Sequence, residues 1–308
     1  MATSVVARET VFALRRQIAK IEGRLAERLE QPAAEAGGAG IVLRHAGRPT
    51  AGALLPIGAP SLDVALDGGL PLAGLTEIHG RQTRDAGAVA GFSLALAVMA
   101  RRLAATTAPL LWIATSEVLS EAGRPYAPGI LHRFGLEAEA LLLAQTRRIE
   151  DALWVAEEAA GLSRLSAVLL EVRGVAHRLD LTATRRLHRR AQAAARPFFL
   201  LRQAGQPEPT AAPVRLVVSP APAGERRLFS RALEGSIGPP AFMVEIGRSR
   251  TAMPATAVLE WNEDERAFHE RPLAADRTAD TGLVVSVSGE RPRPADKAGR
   301  FLAVRGAA

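Results

Sequence analysis

The residues most able to do chemistry lie between Gly80 and Gly87. Leu75–His79 reads as a short strand running into Gly80, Arg81 to Ala86 as a polar turn, and Ala88–Ala100 as a buried helix after Gly87. Strand, glycine-bounded loop and helix make the frame of a phosphate-binding loop, G-x-x-x-x-G-K-[ST]. In such a loop backbone N–H groups surround the phosphates, a lysine reaches the β/γ-phosphates and a hydroxyl holds magnesium. Here Ala88 and Val89 follow Gly87, and the only two lysines of the chain, Lys20 and Lys297, are far away in sequence. Arg81 and Arg84 can approach a phosphate, but a planar guanidinium does not replace a compact ammonium in a tight loop. Asp85 adds a negative charge that repels a polyphosphate. The frame is kept and its reactive parts are lost, so Gly80, Arg81, Arg84 and Gly87 form at most a vestigial nucleotide loop. Weak binding through backbone amides stays open; hydrolysis is not expected.

Other polar residues stand at places where loops begin. Glu171 and Gln203 close two apolar strand candidates, and Glu117 follows a third. Each reads as an ordinary polar residue at the carboxyl rim of a parallel sheet. Arg185, Arg186, His188, Arg189 and Arg190 crowd one helix. At helical spacing Arg185/Arg189 and Arg186/Arg190 form two adjacent basic stripes, suited either to sequence-independent phosphate contacts or to a solvated face. The six histidines never reach metal-ligand spacing with carboxylates, no G-x-S-x-G elbow occurs, and no cysteine is present. Metal, hydrolase, disulfide and thiol chemistry therefore lack support, and no cofactor is expected.

The formal net charge of +7 favours acidic partners or reflects a general preference for arginine. Aromatics at 4% leave few platforms for stacking single strands. The uncharged apolar run Gly87–Ala100 is short for a bilayer span and no leader pattern begins the chain, so a cytoplasmic location is expected.

The elements positioning these residues fall in order. Residues 1–30 carry Val11, Leu14, Ile18, Ile21 and Leu25 at alternating spacings of three and four, a narrow amphipathic seam. That helix folds back on its own domain or docks on another protein. Residues 31–53 read as a linker. From residue 54, Ser61 is placed to cap a short helix ending at Gly68-Gly69. Strands are expected at Leu75–His79, Leu110–Ala114, Ala140–Leu143, Ala167–Val172, Phe198–Arg202 and Val214–Val218. Helices are expected at 86–105, 127–135, 149–161 and 182–195. The alternation predicts an α/β fold, a mainly parallel sheet flanked by helices. Antiparallel strands follow at Phe242–Ile246, Ala257–Trp261 and Ala267–His269. Residues 271–308 read as a mobile tail holding one apolar stretch, Leu283–Val287, able to become a strand where a partner offers an edge.

The order of these segments resembles the RecA-like core. Leu55-Pro56-Ile57-Gly58-Ala59-Pro60-Ser61-Leu62-Asp63, Gly68-Gly69-Leu70-Pro71 and Glu77-Ile78-His79-Gly80 follow the RecA approach to its phosphate loop. Tyr126-Ala127-Pro128-Gly129 with Phe134-Gly135-Leu136, and Phe198–Gln203, are similar to later RecA segments. A narrower resemblance is to the ImuA family of bacterial damage-inducible mutagenesis cassettes. It is carried by Leu179–Leu187 and by the closing strands Phe242–Arg250 and Leu259–Asn262. The resemblance covers 54–270 and implies a RecA-like core with a degenerate phosphate loop and no catalysis, in which Glu117, Glu171 and Gln203 are relics of acid and switch positions or plain rim residues. It further implies an adaptor in error-prone translesion DNA synthesis during the SOS response to DNA damage. Its implied partners are an ImuB-like polymerase homologue, an error-prone C-family DNA polymerase and RecA, with DNA bound weakly or indirectly and self-association open. Two other functions stay open: a nucleotide-dependent DNA-binding ATPase, and an inhibitor of cell division.

Overall fold

The computed structural model describes residues 54–272, except Val175, His177, Gln206, Phe229, Ser230, Glu234 and 250–253. The seam Val11, Leu14, Ile18, Ile21, Leu25, the linker 31–53 and the segment Leu283–Val287 lie outside the described residues. Arg271, expected to open the tail, instead ends the last strand.

In chain order the elements are β1 (Leu54–Leu55), α1 (Pro60–Ala65), β2 (Leu70–Pro71), β3 (Gly74–Gly80), α2 (Ala86–Leu103), β4 (Leu110–Thr115), α3 (Ser116–Ala122), α4 (Ala127–Phe134), β5 (Leu141–Thr146), α5 (Ile149–Ala160), β6 (Ala167–Arg173), α6 (Leu181–Ala193), β7 (Pro197–Gln203), β8 (Val214–Ala221), β9 (Arg227–Leu228), β10 (Arg231–Ala232), β11 (Ala241–Ser249), β12 (Thr256–Asn262) and β13 (Ala267–Arg271). Nine strands form one sheet in the order β13-β12-β11-β8-β3-β7-β6-β4-β5. From β8 to β5 every pairing is parallel, and from β8 to β13 every pairing is antiparallel. The fold is thus mixed α/β, with a large, mostly parallel sheet and antiparallel C-terminal strands.

The near-continuous apolar runs of β3, β6 and β7 follow from burial on both faces. One face packs on α2, α3 and α4 through Phe92, Leu96, Val118, Ile130, Trp112 and Leu201. The other packs on α5 and α6 through Leu153, Ala156, Leu187, Leu75, Phe198 and Leu200. Thr83–Leu103 has the length and apolar composition of a membrane span, but within it Val89, Phe92, Leu94, Leu96 and Val98 are buried in this core.

The scarce aromatics are concentrated. Phe92, Phe134, Phe242, Trp261 and Phe268 form a chain of tilted and edge-on ring contacts with centroids 5.0–5.9 Å apart. These contacts join α2 and α4 to β11, β12 and β13, each pair adding about 0.5–1.5 kcal/mol beyond burial. They fix the antiparallel extension onto the parallel core.

Ser61 is not a cap. Ala59 occupies the N-cap of α1, and the Asp63 carboxylate instead accepts the Ile57 and Gly58 N–H groups at 2.7 and 3.0 Å. Pro60 at the start of the helix fixes the entry two residues earlier than a serine cap would.

Candidate functional site

In an open parallel sheet the carboxyl ends of the strands gather the loops that bind ligands. At that rim β3 ends at Gly80, five residues turn, and α2 begins at Ala86. The predicted strand–turn–helix is present. Its interior is filled by the protein itself. Thr83–Asp85 make one turn of 3-10 helix, and the buried Asp85 carboxylate accepts the Gln82 N–H at 2.9 Å. The Asp85 N–H returns to the Gln82 carbonyl at 3.0 Å. The Gln82, Asp85 and Ala86 N–H groups are therefore engaged inside the turn.

The two glycines have unequal roles. A Cβ on Gly80 would come within 2.9 Å of Val89 Cγ2 and 3.2 Å of Asp85 Cβ, so the close approach of helix and strand requires glycine. A Cβ on Gly87 would meet nothing within 4 Å. Arg81, expected near phosphate, reaches across to β11, where its guanidinium donates to both oxygens of Glu245 at 3.2 and 2.6 Å. Arg84 is exposed, with no ion pair among the described residues.

Beneath this turn, on the α2 face, Glu171 and Gln203 meet as neighbours. Gln203 Nε2 donates to Glu171 Oε1, and Trp112 Nε1 donates to Glu171 Oε2 at 2.9 Å. Glu171 is 3% exposed. Burial pushes its carboxyl up to about 7, against the lowering effect of the two donors. Both carboxylate oxygens are occupied by protein partners. Glu117 lies exposed on the first turn of α3 and makes no hydrogen bond to this pair. Trp112 carried no sequence signal for this role, since within an apolar strand it reads only as core.

The basic helix divides. Arg186 bonds Glu157 at 2.9 Å, and Arg190 meets Glu158 at 3.3 Å and the Glu157 carbonyl at 3.0 Å, so this stripe is spent on packing α6 against α5. Arg185 and Arg189 are exposed, with no ion pair among the described residues. His188 does not belong to the basic surface. Its Nδ1 accepts the Leu75 N–H at 3.1 Å, and it lies so near Gly74 (φ +121°) that a Cβ there would meet its ring at 2.8 Å.

A second polar cluster occupies the opposite face of the sheet. The β7-to-β8 crossover has no helix: residues 204–213 lie across the α6-side face as a strap. Under it Glu77 pairs with Arg215 at 2.9 Å, accepts Thr210 Oγ1 at 2.7 Å and stands 3.9 Å from Arg202. Glu208 on the strap binds Arg202 through its carboxylate and Arg215 through its carbonyl. Arg202 Nε and Nη1 and Arg215 Nε make no hydrogen bond. Buried beside them, His79 is held below its usual range, first by desolvation and further by the two arginines. The signal for this cluster was charge at alternate positions of otherwise apolar strands (Glu77 and His79, then Arg202).

A cleft of about 650 Å³ lies away from the turn, beside His132, Arg133, Arg226, Glu263 and His269. Among its lining charges Arg133 and His132 both meet the Glu263 carboxylate. No group of three metal-ligating side chains occurs among the described residues.

No protein-family model and no curated protein matches this chain.

Proposed function

We propose that this protein is a non-catalytic RecA-like adaptor of the ImuA kind, acting in translesion DNA synthesis after DNA damage. The observation that carries the reading is Asp85, whose buried carboxylate puts a negative charge inside the turn and takes the Gln82 N–H for itself. Three features support it. Arg81 is committed to Glu245, Glu171 is enclosed by Trp112 and Gln203, and the strand order matches a sheet whose loops gather at one rim. In this reading the α/β core is a rigid support, and its work is done by surfaces.

The aromatics favour protein over single-stranded DNA as the partner. Among the described residues only Tyr126 and Trp154, at 71% and 68%, are strongly exposed aromatics. Two isolated rings are too few to track a strand, while exposed Tyr and Trp are common anchors of protein contacts. Tyr126 also borders an apolar groove of about 280 Å³ with Leu94, Ile130 and Phe134. DNA contact, where it occurs, falls to Arg185 and Arg189 and is sequence-independent and salt-sensitive.

The test is reconstitution from purified components. The chain should capture an ImuB-like polymerase homologue, alone or with a C-family polymerase, equally with and without ATP. Absence of capture, or capture that requires ATP, contradicts the adaptor reading.

A further inference from the structure

The two edges of the nine-stranded sheet are finished differently. β13 presents His269, Glu270 and Arg271, tied by His269–Glu265 and Arg271–Glu260 ion pairs at 2.8 and 3.5 Å. Charges of this kind are how proteins keep an edge strand from pairing with other chains. β5, at the other end, reads Leu-Leu-Leu-Ala-Gln-Thr, with no charge, no proline and no register shift against β4. None of its six residues is buried, and Leu142 and Leu143 are 45% and 37% exposed on opposite faces. Among the described residues no strand pairs with its outer side. An apolar edge left unprotected is a template for one more strand.

The chain contains a segment of matching chemistry. Leu283-Val284-Val285-Ser286-Val287 is uncharged and β-branched, a composition that favours strands. Reach decides whose copy supplies it. β13 and β5 are separated by eight strand spacings, about 38 Å across the sheet at ~4.8 Å each. From Pro272 to Leu283 the chain advances eleven residues, about 36–40 Å when fully extended. That leaves no slack to pass around the helical layers, each about 10 Å thick. Laying this segment on its own β5 would take the whole of that reach, whereas a second molecule meets no such limit.

We propose that β5 receives the Leu283–Val287 segment of a second copy of this chain as an added strand. The contact is head to tail: each molecule offers an edge at one end and a strand at the other, giving open chains or, where the rotation closes, rings. The inference draws on the sheet edges and the tail composition and not on the adaptor reading.

Sedimentation velocity of the full chain over a wide concentration range tests it, with two variants. Wild type should associate as concentration rises. Val285→Pro removes a pairing N–H outside the described core and should weaken association by about tenfold or more, equivalent to 1.4 kcal/mol or more. Leu142→Lys charges the edge and should do the same, with its melting temperature checking the fold. Mixed together, the two variants should form a one-to-one complex and stop, because Val285→Pro retains the edge and Leu142→Lys retains the strand. A monomeric wild type, wild-type association by Val285→Pro, or failure of the mixture to pair overturns the proposal.

Discussion

Glu171 is a carboxylic acid placed where the sheet gives it no water and two donors, Trp112 and Gln203. Its folded-state value of about 7 stands above the ordinary 4.5. The native state therefore keeps a proton that the unfolded chain has already released. Stability from this group is complete below pH 4.5 and is lost as pH rises through 7. The loss amounts to about 3 kcal/mol. Glu171→Gln removes the titration while keeping the shape. Urea unfolding of both proteins should show the variant gaining about 3 kcal/mol on wild type between pH 4.5 and pH 8; a constant difference would mean that the carboxyl is not held protonated. At the same scale Asp85 was legible in part. Its charge was legible as hostile to polyphosphate. Its capture of the Gln82 N–H was not, because a local hydrogen bond depends on a backbone turn that composition does not specify.

The turn between β3 and α2 was legible as an element, since a buried strand, a polar interruption and an apolar helix differ in period and composition. The roles of its two glycines were not. Gly80 is required by contact with Val89, while Gly87 faces open space at the start of α2. Gly80→Ala should destabilise by about 1–3 kcal/mol through overpacking. Gly87→Ala should be neutral or stabilise by up to about 1 kcal/mol, because alanine is the better helix former. Thermal melts of the two variants check this, and equal losses would place Gly87 inside a constrained loop. Other strands and helices follow the predicted alternation, with β5, β8 and β11 running longer than the apolar runs that announced them. α3 was missed because Ser116–Ala122 is too short for its period to register. The strap 204–213 joins β7 to β8 and carries Glu208. Its partners stand on the two strands it joins: Glu208 closes over Arg202 and Arg215, six and seven residues away, and removing one member of such a buried set leaves the others uncompensated.

At the scale of the whole molecule the class of fold was readable and the use of its surfaces only in part. Parallel strands buried on both faces leave a clear trace in sequence, and so does the switch to antiparallel strands after β8. Which arginines remain available did not, because Arg186 and Arg190 find Glu157 and Glu158 on a helix one crossover away, while Arg185 and Arg189, one residue earlier on the same turns, do not. In the proposed reading a strand–turn–helix frame of nucleotide-binding type carries a buried Asp85 in its turn, and surfaces and edges are the working parts. Isothermal titration of the full chain with Mg·ATP, followed by assay for released phosphate, tests that most directly. The account predicts no saturable heat and no turnover above buffer. Saturable binding with phosphate release, abolished by Glu171→Gln, would contradict it.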